Sequence, residues 1–281
     1  MVKIVTDSGA VFEDEAEVKK LGITVVPLRI ELKDKIYREG VDIDSEGLAR
    51  EIARTRSIPT SLPPTRDHME KVYQKIIKEE GDEIVGIYTS SYINPVASVA
   101  REASIPFLGR ARITIIDSEV SSYALGLMVR EAAKAAQKGR SMDAIVRLVR
   151  GMIPYMYIAS FSQDLKFLRH KKIISPSQAI LGTMMGIKVF LIVEDGKFVP
   201  LEKVQTEEEM AEKLVEFTAE FVNIKRLAML KNDLNEVVNA FLEKFSSLSF
   251  KVKPTILPLN PSMICYLGPK AISLIIQEGG S

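Results

Sequence analysis

The chain is poor in the residues that build the commonest catalytic and metal sites. Its 281 residues include one cysteine, Cys265, two histidines and no tryptophan. A lone cysteine excludes an internal disulfide framework and suits a reducing cytoplasm. So few cysteines and histidines cannot make a typical zinc cluster. Charge of one sign is missing too: 38 basic and 37 acidic residues leave a formal net charge of +1. That balance gives no electrostatic case for nucleic acid or an anionic membrane as the main partner. No apolar run approaches the roughly 20 residues of a membrane helix, so membrane insertion is not expected. The chain reaches Asp7 after only a few apolar residues, which predicts no signal-peptide core. What remains is 46% hydrophobic and 27% charged, an ordinary globular composition, at a length that suits two domains.

What the sequence does contain is hydroxyl residues where apolar, strand-like runs end. Val2-Lys3-Ile4-Val5 leads into Thr6-Asp7-Ser8-Gly9, and Ile84-Val85-Gly86-Ile87-Tyr88 into Thr89-Ser90-Ser91. Arg112-Ile113-Thr114-Ile115-Ile116 leads into Asp117-Ser118. A fourth string, Pro59-Thr60-Ser61-Leu62-Pro63-Pro64, reads as a loop before a helix. In open α/β sheets, ligands sit outside the carboxyl ends of the strands. Hydroxyls there donate to an anionic or carbonyl head without carrying charge. The strings therefore point to a site for a small polar head group.

Strands and helices alternate through the first half. Strands are predicted at 2–6, 23–30, 84–88 and 113–116, with Pro27 marking an edge or a bend. Helices are predicted at 13–20, 46–54 behind a Ser45 cap, from 66 behind a Thr65 cap, and at 96–103, 122–138 and 141–150. Such alternation implies crossovers and a mainly parallel sheet. The second half carries a hairpin, 188–193 and 198–204, turning at Asp195-Gly196. Thr206 and Glu209 form a capping box for a helix over 207–221. Further strands are predicted at 155–160, 226–230, 252–257 and 262–266, helices at 177–185 and 233–245, and a short helix or turn at 165–172. The fold class is two α/β domains, the first with a mainly parallel sheet and the second with a mixed one, with a ligand cleft between them. The domains are expected at 1–153 and 154–281.

The strings resemble the DegV family of bacterial lipid-binding proteins. The family's opening valine–threonine–aspartate–serine is matched by Val5-Thr6-Asp7-Ser8. Its proline–threonine–threonine–serine–glutamine–proline loop is met by Ile58-Pro59-Thr60-Ser61-Leu62-Pro63. The paired serine is Ser90-Ser91, and isoleucine–aspartate–serine is Ile116-Asp117-Ser118. Ile187-Lys188, Glu194-Asp195-Gly196-Lys197, Leu201-Glu202-Lys203-Val204 and Gly268-Pro269 follow in family order. The resemblance implies one long-chain fatty acid held as ligand, with no catalytic residues and no cofactor. It implies a head-group network drawn here from Thr60, Ser61, Ser90, Ser91 and Tyr266. It also implies an acyl tail running into the second domain, where Met184, Met185 and Ile173 are the expected lining, and a separate kinase that phosphorylates the bound carboxylate.

Two departures stand out. A family arginine falls at Ile173, within Lys171-Lys172-Ile173-Ile174-Ser175, and a family histidine falls at Tyr266. Without that pair the site is expected to distinguish poorly between a fatty acid and its uncharged amide or alcohol, and to present a bound acid poorly to a kinase. Lys270 and Lys188 are the first candidates for a replacement cation. Plainer readings stand beside the sharp ones. Thr60 and Ser61 suit a helix entry, Ser90 and Ser91 a turn before the Asn94-Pro95 helix start, and Asp7 and Asp117 a fixed loop backbone. Met184-Met185 suits ordinary core, and Arg169-His170-Lys171-Lys172 a solvated basic face. A second functional reading is a small-molecule hydrolase or sugar- or phosphate-handling enzyme, with Mg²⁺ on Asp7 and Asp117 at strand ends. The sequence has no Gly-x-Ser-x-Gly elbow to support it.

Overall fold

β-Branched runs closed by polar turns become strands, and the amphipathic stretches between them become crossover helices. The computed structural model describes residues 1–248 and 250–279. In the first half the elements are β1 (Lys3–Asp7), α1 (Glu15–Lys20), β2 (Thr24–Val26), β3 (Arg29–Leu32), β4 (Lys35–Arg38), α2 (Ser45–Thr55), β5 (Thr60–Leu62) and α3 (Arg66–Glu79). They continue as β6 (Glu83–Tyr88), α4 (Val96–Ser104), β7 (Arg112–Asp117), α5 (Ser122–Gln137) and α6 (Met142–Met152). The second half holds β8 (Met156–Ser162), α7 (Leu165–His170), α8 (Pro176–Met184), β9 (Lys188–Glu194), β10 (Lys197–Val204) and α9 (Glu207–Ala219). It closes with β11 (Ile224–Lys231), α10 (Asn235–Ser246), β12 (Thr255–Pro258), α11 (Pro261–Leu267) and β13 (Ala271–Glu278).

The chain forms two compact units. One comprises Met1–Asp42 and Ser61–Pro154, the other Ile43–Thr60 and the chain from Tyr155 onward. The segment 43–60, placed by the sequence in the first domain, therefore groups with the second unit. Its helix α2 buries Leu48 and Ile52 and packs on α11. Asp44, rather than Ser45, caps α2, its carboxylate accepting the Gly47 N–H at 2.7 Å.

The first unit is built on a four-stranded sheet, β2-β1-β6-β7, every pair parallel. Pro27 splits the apolar run 23–30 into β2 and β3, which lie in different sheets, and β5 completes a three-stranded sheet in the order β4-β3-β5. Val5, Ile84 and Tyr88 of the parallel sheet bury against Met69, Tyr73 and Ile76 of α3 and the alanines of α4. Because the strands are parallel, Asp7, Tyr88 and Asp117 all end at one edge of the sheet. The loops carrying Ser8, Thr89–Ser91 and Ser118 therefore leave from the same end.

The second unit is a six-stranded mixed sheet, β10-β9-β8-β13-β11-β12. The pairings are antiparallel except β11 with β12. Ala159, Phe161 and Phe190 face a core completed by Met210 and Leu214 of α9 and Val237 and Phe241 of α10. Alternation turns Ser160 and Ser162 to the opposite face. There the Ser162 hydroxyl donates to the Leu267 carbonyl of α11 at 2.7 Å, and Ser160 pairs with Ser273 at 2.7 Å. The turn at Asp195-Gly196 has φ of 48° and 78°, as a two-residue hairpin loop requires.

Two elements of the second unit differ from expectation. The run 262–266 is helical, not extended: Pro261 sits in the first turn of α11, and Met263, Ile264, Cys265 and Leu267 are all buried. A short apolar run buried on every side has no period by which strand and helix can be told apart. The sequence reading also passes over β13, which lies between β8 and β11 in the sheet.

Candidate functional site

In the first unit the signature residues lock the strand ends together. The Asp7 carboxylate is fully buried. It accepts the Thr89 N–H at 2.8 Å, the Thr89 hydroxyl at 2.7 Å and the Gly9 N–H at 2.8 Å. Burial pushes its pKa up, against the pull of those hydrogen bonds. Ser8 accepts the Leu28 N–H at 2.9 Å and donates to buried Glu39 at 2.7 Å. Asp117 accepts the N–H groups of Ser91, at 3.3 Å, and Glu119, at 3.2 Å. The two aspartates thus fix loop backbone, and Asp7 in particular is spent on its neighbours. Among the described residues, no group of three or more His, Cys, Asp or Glu side chains is arranged to hold a metal ion.

The predicted hydroxyls separate into held and free ones. Ser90 is buried, its N–H donating to Val120 at 2.8 Å and its hydroxyl accepting the Tyr92 N–H at 3.4 Å. Ser61, in β5 rather than a loop, accepts a hydrogen bond from the Asn94 amide at 2.9 Å. Thr60 opens the same strand, half-buried, in the segment grouped with the second unit. The hydroxyls of Thr60 and Ser91 engage no other described residue, and both side chains are half-buried. Asn94 was missed by the sequence reading except as a helix start. It is 1% exposed, and its amide oxygen is buried without a hydrogen-bond partner. An Asn directly before a Pro gives no sign of that role, since Asn-Pro is also a plain turn signal.

The second unit carries an apolar pocket of about 760 Å³ lined from α7, α8 and the β9–β10 hairpin. Leu165, Ile173, Ile174, Leu181, Met185 and Ile187 form most of its wall, with Val189 and Pro200 from the hairpin. Gly182 is part of the wall; a Cβ there would lie 2.5 Å from a Leu165 methyl, so glycine keeps α8 close to α7. Ile173 and Met185 are thus pocket residues. Met184 is 80% exposed and forms no part of this wall. Tyr266 lies on α11, half-buried, its ring 5.2 Å from that of Phe198 between centroids. Burial raises its pKa, so the phenol stays protonated and able to donate. Of the other cations considered, Lys188 donates to the Gly186 and Gln205 carbonyls, and Lys270 is exposed. No helix among the described residues is long and apolar enough to cross a membrane.

Comparison with known proteins agrees with the fold and the strings. A DegV domain-containing protein of Clostridium perfringens is 32% identical over 219 residues, 76% of each chain. A DegV family protein from Thermus thermophilus, described by its fatty-acid binding, superposes with a TM-score of 0.85 at 23% identity, covering 99% of both chains. A stearic-acid-binding protein from Eubacterium ventriosum superposes at 0.84 with 18% identity, over 99% of this chain and 98% of that one. The sequence profile of the DegV family, described as uncharacterised, matches residues 1–279. On that span of agreement, the chain belongs to the DegV family.

Proposed function

We propose that this protein binds a long-chain fatty acid and acts as a carrier rather than an enzyme. The observation that carries the reading is the pocket of the second unit: about 760 Å³, apolar-walled, in a chain of this family. Each buried CH₂ contributes roughly 0.8 kcal/mol, so an acyl tail there supplies most of the affinity. The fatty-acid-binding relatives support the same ligand class. The head-group candidates are the hydroxyls of Thr60, Ser61, Ser90 and Ser91 and the phenol of Tyr266. Against the hydrolase reading, Asp7 is buried and saturated by Thr89 and Gly9, so it is not presented to a substrate or an ion.

Organic extraction of the purified protein followed by mass spectrometry is expected to yield a stoichiometric acyl species. No extracted lipid, together with no binding of added palmitate, overturns the reading. Presentation of the bound acid to a separate kinase is the finer proposal. It predicts that protein-bound palmitate is phosphorylated when a fatty-acid kinase and ATP are added, and that it stays unmodified with ATP alone.

A further inference from the structure

The segment Arg169-His170-Lys171-Lys172 reads as a solvated basic face, and three of its residues are exposed accordingly. Lys171 is not. It ends α7, its N–H donating to the Phe167 carbonyl at 2.9 Å, and its side chain is half-buried. The ammonium lies 5.2 Å from the centroid of the Tyr266 ring. Among the described residues no carboxylate lies within ion-pairing distance of it, whereas nearby Lys166 is paired with Asp164 at 3.1 Å. Burial lowers the pKa of Lys171, with a smaller opposing effect from Cys265 beside it. A cation taken partly out of water without an anion is unfavourable unless something else compensates. The face of an aromatic ring does so in part, and it leaves the other N–H donors of the ammonium unused.

The position of this ammonium bears on the pocket. Ile173 and Ile174, two and three residues after Lys171, are pocket wall. The Tyr266 ring packs at a tilt against Phe198, and Pro200, on the same face of β10, is wall as well. The segment that ends α7 therefore carries both the wall residues Ile173 and Ile174 and an ammonium seated on the Tyr266 ring.

We propose that Lys171, seated on Tyr266, is the cation that receives the ligand's carboxylate in this chain. The assignment rests on the fatty-acid-binding reading. It replaces the expectation of poor discrimination between acid and amide. Lys203 also borders the pocket, but it is exposed and its charge is met by water.

The test is competition between palmitate and palmitamide at pH 7 on lipid-stripped protein. The unsubstituted protein is expected to favour palmitate by about ten-fold or more, the worth of one hydrogen bond to a charged group. Lys171→Met, or Lys171→Gln should Met disturb the end of α7, removes that preference, because palmitate affinity falls much further than palmitamide affinity. Lys171→Arg retains the preference, and so does Lys203→Met. If the unsubstituted protein binds both ligands without preference, or if the preference survives Lys171→Met and Lys171→Gln, the assignment is overturned while lipid binding stands. If the unsubstituted protein binds neither ligand, the lipid reading falls and the assignment falls with it.

Discussion

Asp7 and Thr89, 82 residues apart, are joined twice: one carboxylate accepts both the backbone N–H and the hydroxyl of the threonine. The pair ties the end of β1 to the residue after β6, so the two neighbouring parallel strands stop in register. Thr89→Val keeps the shape and removes the hydroxyl donor. Losing one hydrogen bond to a buried carboxylate costs about 1.5–3 kcal/mol, which urea denaturation would read as a lower midpoint at unchanged slope.

The same carboxylate sets a pH dependence of unusual sign. Its folded pKa lies above the ordinary 3.8 because burial outweighs the hydrogen bonds. In the window from 3.8 up to the folded value the folded state binds more protons than the unfolded state, so this group's contribution to stability falls as pH rises. Stability relative to Asp7→Asn is expected to be greatest below the ordinary value and to decline through the window. A gain across that window would mean that the three donors outweigh burial.

Ser91 separates ligand binding from folding. Its hydroxyl bonds to no described residue, so Ser91→Ala is expected to leave the melting temperature of the ligand-free protein nearly unchanged. If the hydroxyl meets the head group, palmitate affinity falls about ten-fold or more. Isothermal titration with palmitate distinguishes this from a turn residue, for which affinity would stay as it was.

Gly126 tests how closely α5 is packed. Alanine in a helix usually gains up to about 1 kcal/mol over glycine. Here a Cβ would lie 1.9 Å from the Val11 carbonyl oxygen, a backbone atom that cannot swing aside. Gly126→Ala is therefore expected to destabilise, by about 1–3 kcal/mol in chemical denaturation.

Ile174 probes the apolar pocket directly. An unpaired carboxylate on an apolar wall is strongly unfavourable once an acyl chain displaces water from it. Ile174→Asp is expected to abolish measurable palmitate binding while circular dichroism of the ligand-free protein stays native. Undiminished binding would mean that the tail lies elsewhere.

Local chemistry was legible in the sequence. The Asp195-Gly196 turn, the Thr206–Glu209 capping box and the Thr65 cap all appear as read, because each needs only a few adjacent residues. Strand–helix alternation sufficed for the parallel sheet of the first half, since short crossovers leave few other pairings. The in-order strings sufficed for the family. Four things were decided by tertiary structure. The run 262–266 became helix, with Pro261 in its first turn, and burial of all of it but Tyr266 left no period to read. Segment 43–60 joined the second unit through the packing of α2 on α11. Asp7 took Thr89 as its partner because β1 and β6 are neighbours, which no local pattern encodes. Lys171, one of four consecutive basic residues, was set apart from the others by the ring of Tyr266, 95 positions along the chain. Caps and turns follow from backbone dihedrals within a few residues, whereas burial and long-range pairing exist only once distant segments have packed.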